Sequence, residues 1–162
     1  MSIRLRAMTQ PEYDAFYEYS RNRHADELIR ELGLSYEESL RAAQEELRGM
    51  LPDGRDTRDN YLMVIEAAPD GRFVGFIWFL YEMTDGIRQV FVCDLVLRES
   101  ERNKGYASAA LAEMEWFAIA GGCAESVLFV ADDNLPARKL YDKCGYSFLK
   151  SAGYGKYLKK AL

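Results

Sequence analysis

Histidine is nearly absent: the chain carries one, His24. A single imidazole makes both a multi-histidine metal site and a His-based nucleophilic triad hard to build. Cysteine is scarce as well. Cys93, Cys123 and Cys144 are odd in number and far apart, which suggests neither a zinc site nor a disulfide framework and fits a reducing cytoplasm. No metal is therefore expected. No apolar run approaches the roughly 18 residues needed to span a bilayer, so no membrane partner is expected. The first ten residues, MSIRLRAMTQ, set Arg4 and Arg6 between apolar neighbours, where a secretory signal needs an unbroken apolar stretch. Basic residues are in the minority, 21 Lys and Arg against 26 Asp and Glu, for a net charge of −5. A protein that grips a phosphate backbone usually shows a basic footprint, so nucleic acid is not an expected partner. A local nest of backbone amides can still hold an anionic cofactor.

What is present is an ordinary globular composition: 162 residues, 49% hydrophobic and 29% charged. That length fits one domain, expected over residues 1–162, large enough to bury about 68–70% of its unfolded surface without staples. Residues 3–8 alternate apolar and charged and read as a short strand. Thr9 is placed to cap a helix with Pro11 in its first turn, and Gly33 ends it. Ser35 and Glu38 have capping-box spacing ahead of a second helical stripe through Leu40, Ala43, Leu47 and Met50. Three strand-like runs follow, 61–67, 73–81 and 89–97, separated by Pro69-Asp70-Gly71 and Asp85-Gly86. The turn chemistry predicts antiparallel pairing in sequence order.

After Leu97 the pattern changes. A polar loop, 98–105, opens a helix whose stripe runs through Ala107, Ala110, Leu111, Met114, Phe117 and Ala118. A short apolar strand, 126–130, is followed by a helix with Ala137, Leu140, Tyr141 and Cys144 on one face. Segments 146–150 and 154–158 make a closing hairpin around Gly153. The fold class is α+β: a mixed, mostly antiparallel sheet of about seven strands flanked by helices. Its fourth and fifth strands are parallel, joined by a right-handed crossover.

The most informative segment is Leu95-Val96-Leu97-Arg98-Glu99-Ser100-Glu101-Arg102-Asn103-Lys104-Gly105-Tyr106-Ala107. A strand feeds a polar loop that opens a helix, and the free N–H groups at a helix start attract an anion. Gly105 allows close approach, Ala107 keeps the first turn slim, and Arg102 and Lys104 add positive charge. The plainer reading is a glycine turn with two solvated cations.

A second block, Asn134-Leu135-Pro136-Ala137-Arg138-Lys139-Leu140-Tyr141-Asp142-Lys143-Cys144-Gly145-Tyr146, stands downstream. Together the two blocks resemble the GNAT superfamily of acyl-CoA-dependent N-acyltransferases. Arg102-x-x-Gly105-x-Ala107 is similar to its pyrophosphate motif. Asn134, Ala137, Leu140-Tyr141 and Gly145-Tyr146 are similar to its later pattern, at the right spacing and in the right element order. The chain departs from the family where many members have glycine in place of Asn103 and proline in place of Glu99. Neither change removes an amide cradle, since Asn tolerates unusual backbone angles.

The resemblance implies acetyl-CoA as co-substrate. The backbone amides of Arg102, Asn103, Lys104, Gly105, Tyr106 and Ala107 would hold its pyrophosphate, with Ser108 offering a hydroxyl. Leu95, Val96 and Leu97 would pair with the pantetheine arm where the two parallel strands splay apart. Asn134 and Ala137 match positions beside the cofactor. Tyr141 matches a residue near the sulfur, where a phenol can protonate the leaving thiolate; helical spacing alone would make it a core tyrosine.

Asp94 is the one charge within residues 90–97. A carboxylate in an apolar strand needs a partner or water, so it is either a structural group or the acid that helps an attacking amine lose its proton. Glu82 and Glu66 are weaker candidates for that task. His24 reads as a helix-surface residue and Cys93 as a small strand hydrophobe. Segment 11–51 is acidic, which is either solvated surface or an attraction for a cationic amine such as a polyamine, an aminoglycoside, a lysine side chain or a peptide N-terminus. The expected function is transfer of an acetyl group from acetyl-CoA to a primary amine, in a chain that is a candidate homodimer. The alternative is a non-catalytic acyl-CoA sensor or docking module.

Overall fold

The computed structural model describes residues 2–162. The chain divides into two compact units, one built from residues 8–60 and the other from Tyr61–Leu162 with the N-terminal strand.

The smaller unit is a helix pair. Helix α1 spans Gln10–Leu32 and helix α2 spans Tyr36–Met50. Both begin with the reciprocal capping box that their sequences predict. Thr9 Oγ1 accepts from the Glu12 amide while the Glu12 carboxylate accepts from the Thr9 amide, and Ser35 and Glu38 do the same. Gly33 ends α1 at φ 65°, a left-handed angle that costs glycine nothing. Ala43 and Leu47 of α2 are buried, as are Tyr13 and Phe16 of α1.

The larger unit is a seven-stranded sheet in the order β1-β2-β3-β4-β5-β7-β6. Its strands are β1 Ile3–Ala7, β2 Asn60–Ala67, β3 Arg72–Thr84, β4 Ile87–Leu97, β5 Glu125–Ala131, β6 Ser147–Ala152 and β7 Gly155–Ala161. β3 and β4 pair antiparallel through the turn Asp85-Gly86, whose φ angles of 51° and 78° suit a tight hairpin. β4 and β5 are parallel, as expected for a strand–helix–strand crossover. The closing hairpin inserts β7, not β6, beside β5. This detail lay outside the sequence expectation, because alternation marks a face and not an edge.

Helix α3, Tyr106–Ala120, and helix α4, Leu135–Lys143, pack on this sheet. Ala110, Leu111, Met114 and Ala118 of α3 meet Val74, Ile77, Phe79, Val90 and Leu128 of the strands in one core. Fully burying a Val, Leu, Ile, Phe or Met side chain contributes about 1.5–3 kcal/mol. Phe117 departs from the expected stripe and is exposed, along with Trp116 and Ile119. α3 is apolar on nearly every face, so spacing alone did not single out its inner one. Among the described residues no helix is long and apolar enough to cross a membrane.

Candidate active site

The loop between β4 and α3 is built from short-range bonds. The Arg98 amide donates to Val74 O at 2.9 Å, anchoring the loop to β3. A single 3-10 turn over Glu99–Glu101 follows, with the Glu101 amide on Arg98 O at 2.9 Å. The backbone then turns left-handed twice, at Asn103 (φ 59°) and Gly105 (φ 88°). Asn is among the few residues that accept this angle without glycine's freedom. The first helical bond comes from Ala109 to Gly105 O. Among the described residues, none supplies an acceptor to the amide N–H groups of residues 103–108. A row of unpaired N–H groups at a helix start is an anion site, reinforced by the helix dipole.

The cations of this loop are turned to the protein. Arg102 Nε donates to Leu97 O at 3.3 Å, and Lys104 Nζ donates to Glu101 Oε2 at 3.4 Å. Glu101 is buried and also accepts from Arg72, whose bond holds its carboxyl below the usual carboxylate range. The donors of this loop left to meet an anion are therefore chiefly backbone amides.

Beside the loop, β4 loses its neighbour. Pairing with β5 runs from Gln89↔Glu125 to Val92↔Leu128 and stops, while β4 continues to Leu97 and β5 to Ala131. Leu95, Val96 and Leu97 remain paired with β3 on one side and present an unpaired edge towards β5. The fourth and fifth strands are thus parallel and splayed, as expected.

α4 closes on the same region. Asn134 caps it, its side-chain oxygen accepting from the Ala137 amide at 3.3 Å. Ala137, Leu140, Tyr141 and Cys144 all face the core. Cys144 Sγ lies 3.7 Å from Ser108 Oγ, which ties the end of α4 to the first turn of α3. The half-buried Tyr141 ring meets Tyr146 edge to face at 5.8 Å between centroids. Tyr146 is itself buried against Ser126, with 2.6 Å between the two hydroxyls, and burial pushes its phenol above the ordinary range.

Asp94 is buried at 6% exposure on β4, opposite Trp78. Its neighbour Cys93 has a thiol pushed up by burial and by the Asp94 charge, so it stays protonated and suits the reading as a small hydrophobe. Glu66 is committed elsewhere: Arg4 and Arg6 both donate to its carboxylate, at 2.6 and 2.7 Å, and hold its pKa down. Glu82 accepts from Gln89 Nε2 at 2.8 Å. His24 lies between Glu27 and Glu46 in the helix pair. Nothing in the sequence marks Arg72 and Glu101 as partners. A Glu in a polar loop and an Arg after a turn carry no signal until the fold brings them together.

The model of the Acetyltransferase (GNAT) family matches residues 11–146. The chain belongs to this family. A GNAT relative from Bacillus subtilis, the uncharacterized N-acetyltransferase YycN, is 28% identical over 146 residues, covering 90% of this chain and 93% of its own. The crystal structure of YycN is similar with a TM-score of 0.84 at 26% identity, over 93% of this chain and 96% of that one. Two further structures share the GNAT fold at lower identity. PaiA N-acetyltransferase from Thermoplasma acidophilum, in complex with coenzyme A, aligns over the full length of both chains with a TM-score of 0.71 and 20% identity. Spermidine N-acetyltransferase from Vibrio cholerae, in complex with CoA and spermine, gives 0.66 and 17% over 98% of this chain and 95% of that one. The residues present fit a CoA-type ligand: a run of amides for a diphosphate, and beside it an unpaired strand edge for an amide-containing arm.

Proposed function

We propose that this chain is an acetyl-CoA-dependent N-acetyltransferase, a single GNAT domain over residues 1–162 that acetylates a primary amine by direct transfer. The observation that carries the reading is the run of amide N–H groups over residues 103–108 with no acceptor among the described residues, placed beside the open edge of β4. Acetyl-CoA supplies the acetyl group as an activated thioester and departs as CoA.

The amides of Asn103, Lys104, Gly105, Tyr106 and Ala107 bind the pyrophosphate, with the Arg102 position opening the cradle and the Ser108 hydroxyl at its far end. Leu95, Val96 and Leu97 orient the pantetheine arm through strand-like hydrogen bonds along the open edge. Asn134 and Ala137 flank the arm from α4, where a small side chain leaves room for it. The amine attacks the thioester carbonyl, a C–N bond forms, and the C–S bond breaks. Tyr141 gives its phenolic proton to the departing sulfur, and Asp94 takes the amine's surplus proton directly or through water. The half-buried setting of Tyr141 and the burial of Asp94 support these roles by keeping competing water low. The net charge of −5 favours a cationic acceptor such as a polyamine. The three cysteines are free, in keeping with a reducing cytoplasm.

The test is calorimetric titration with acetyl-CoA, CoA and adenosine, followed by thiol release with a panel of amines. Saturable CoA binding that is largely lost with adenosine, together with amine-dependent thiol release, is expected. No binding at millimolar acetyl-CoA would overturn the reading.

A further inference from the structure

Arg72 is the first residue of β3, directly after the turn that contains Asp70. Its guanidinium reaches two separate points of the β4–α3 connection. Nη1 pairs with Glu101, the residue before the amide cradle. Nη2 donates to the Tyr106 hydroxyl at 3.3 Å, on the first residue of α3, whose amide belongs to the cradle. One planar fork therefore grips both ends of residues 102–105. Glu101 in turn holds Lys104 from inside the loop. The Glu101 side chain is only 9% exposed while that of Arg72 is 44% exposed, so the carboxylate is the enclosed member and the arginine reaches in from the surface.

We propose that Arg72 and Glu101 are the positioning pair of the cofactor loop, setting affinity for the diphosphate of CoA without touching the reacting atoms. This rests on the CoA reading above. Two physical effects support it. The fork fixes the separation between the end of the 3-10 turn and the start of α3, and with it the spacing of the amides that must converge on one anion. The pair also cancels a charge. An enclosed carboxylate close to a diphosphate site would repel its ligand, and Arg72 with Lys104 neutralises it. Arginine is suited to this place and lysine is not, because one ammonium cannot reach Glu101 and Tyr106 in the same geometry.

The test compares wild type with Arg72→Met, Arg72→Lys, Glu101→Gln and the double variant Arg72→Met/Glu101→Gln. Calorimetric Kd for CoA is measured together with kcat and the KM values for acetyl-CoA and acceptor amine. Arg72→Met is expected to raise the CoA Kd at least tenfold. Glu101→Gln should raise it a fewfold, and Arg72→Lys should lie between wild type and Arg72→Met. The double variant should bind more tightly than Arg72→Met, because the stranded carboxylate is gone. That recovery, with kcat at saturating acetyl-CoA and the acceptor KM unchanged, is what general damage to the fold would not produce. If Arg72→Met does not fold, Glu101→Gln and Arg72→Lys carry the same comparison. Wild type that binds CoA while these variants bind it equally well overturns the positioning pair alone. Wild type that fails to bind CoA overturns the proposed function, and the pair with it.

Discussion

Trp78 stands opposite Asp94 across β3 and β4, and the next pair along is Phe79 with Val92. Cys93 therefore has no opposite residue on β3: it is the extra residue of a β-bulge. A bulge bends its strand and sharpens the local twist. This one begins where pairing of β4 with β5 ends, at Val92↔Leu128. The bend and the parting of the strands thus coincide, and Asp94 is the first residue beyond both that has a partner on β3.

Asp94→Asn keeps the size of the side chain and removes its basicity. If Asp94 accepts the amine proton, kcat/KM for the amine should fall about 10²-fold, at the low end for acid–base groups. The CoA Kd should stay at its wild-type value, since the cradle lies elsewhere. The measurement is steady-state kinetics paired with calorimetry. Wild-type turnover in the variant would leave Asp94 a structural carboxylate.

Gly75 is buried opposite Leu97, and a Cβ there would lie 2.2 Å from Val96 O and 2.9 Å from Leu97 Cα. Both obstacles are backbone, so neither can swing aside. Gly75→Ala should force the end of β4 away from β3, at about 1–3 kcal/mol, typical of overpacking. Because that same edge is proposed to pair with the pantetheine arm, the CoA Kd should rise as well. Thermal melts and CoA titration check the two effects. Unchanged CoA affinity in a destabilised variant would remove the β4 edge from the binding site.

His24 bridges the helix pair, with Nδ1 3.5 Å from Glu27 of its own helix and Nε2 paired with Glu46 of α2. Its pKa is raised above the ordinary 6.5, first by the bond to Glu27 and then by Glu46, against an opposing effect of burial. A raised folded-state pKa means the contribution is fully present below about pH 6.5. It is lost as the pH climbs through the elevated value. Glu27 is held low by the same contact, so its share fades only in acid. Melting temperature should fall from pH 6 towards pH 9 in wild type, and this slope should flatten in His24→Gln. As the sole histidine, His24 gives a single imidazole titration by NMR. A pKa at or below 6.5 would sink the bridge.

Local features carried well from sequence to structure. The capping boxes at Thr9 and Ser35, the Asp85-Gly86 turn and the cap at Asn134 each depend on residues within a few positions, where side-chain chemistry acts directly. Asp94 stood out because a lone charge in an apolar strand is costly, and the structure buries it. Long-range features were illegible for the same physical reason. Arg72 and Glu101 are 29 positions apart, and neither residue type is unusual where it stands. The bulge at Cys93 hides in a run of apolar residues that reads the same with or without a shift of register. The exposure of Phe117 was hidden by a helix that is apolar almost all round.

Tyr141 is the sharpest test of the chemistry, because its plainer reading as a core residue is also visible: its ring packs edge to face on Tyr146 and its helix face meets the core. Tyr141→Phe keeps that ring and removes only the hydroxyl. A core role predicts a modest change in stability, with turnover unaffected. An acid role predicts the reverse: kcat lower by about 10²-fold, melting temperature and CoA Kd close to wild type. A second signature separates the two without reference to magnitude. A phenol acting as an acid stops working once it ionises, so wild-type kcat should fall at alkaline pH, and this limb should be absent in Tyr141→Phe. If the variant keeps both the wild-type rate and the alkaline limb, the proton on the departing sulfur comes from another group or from water.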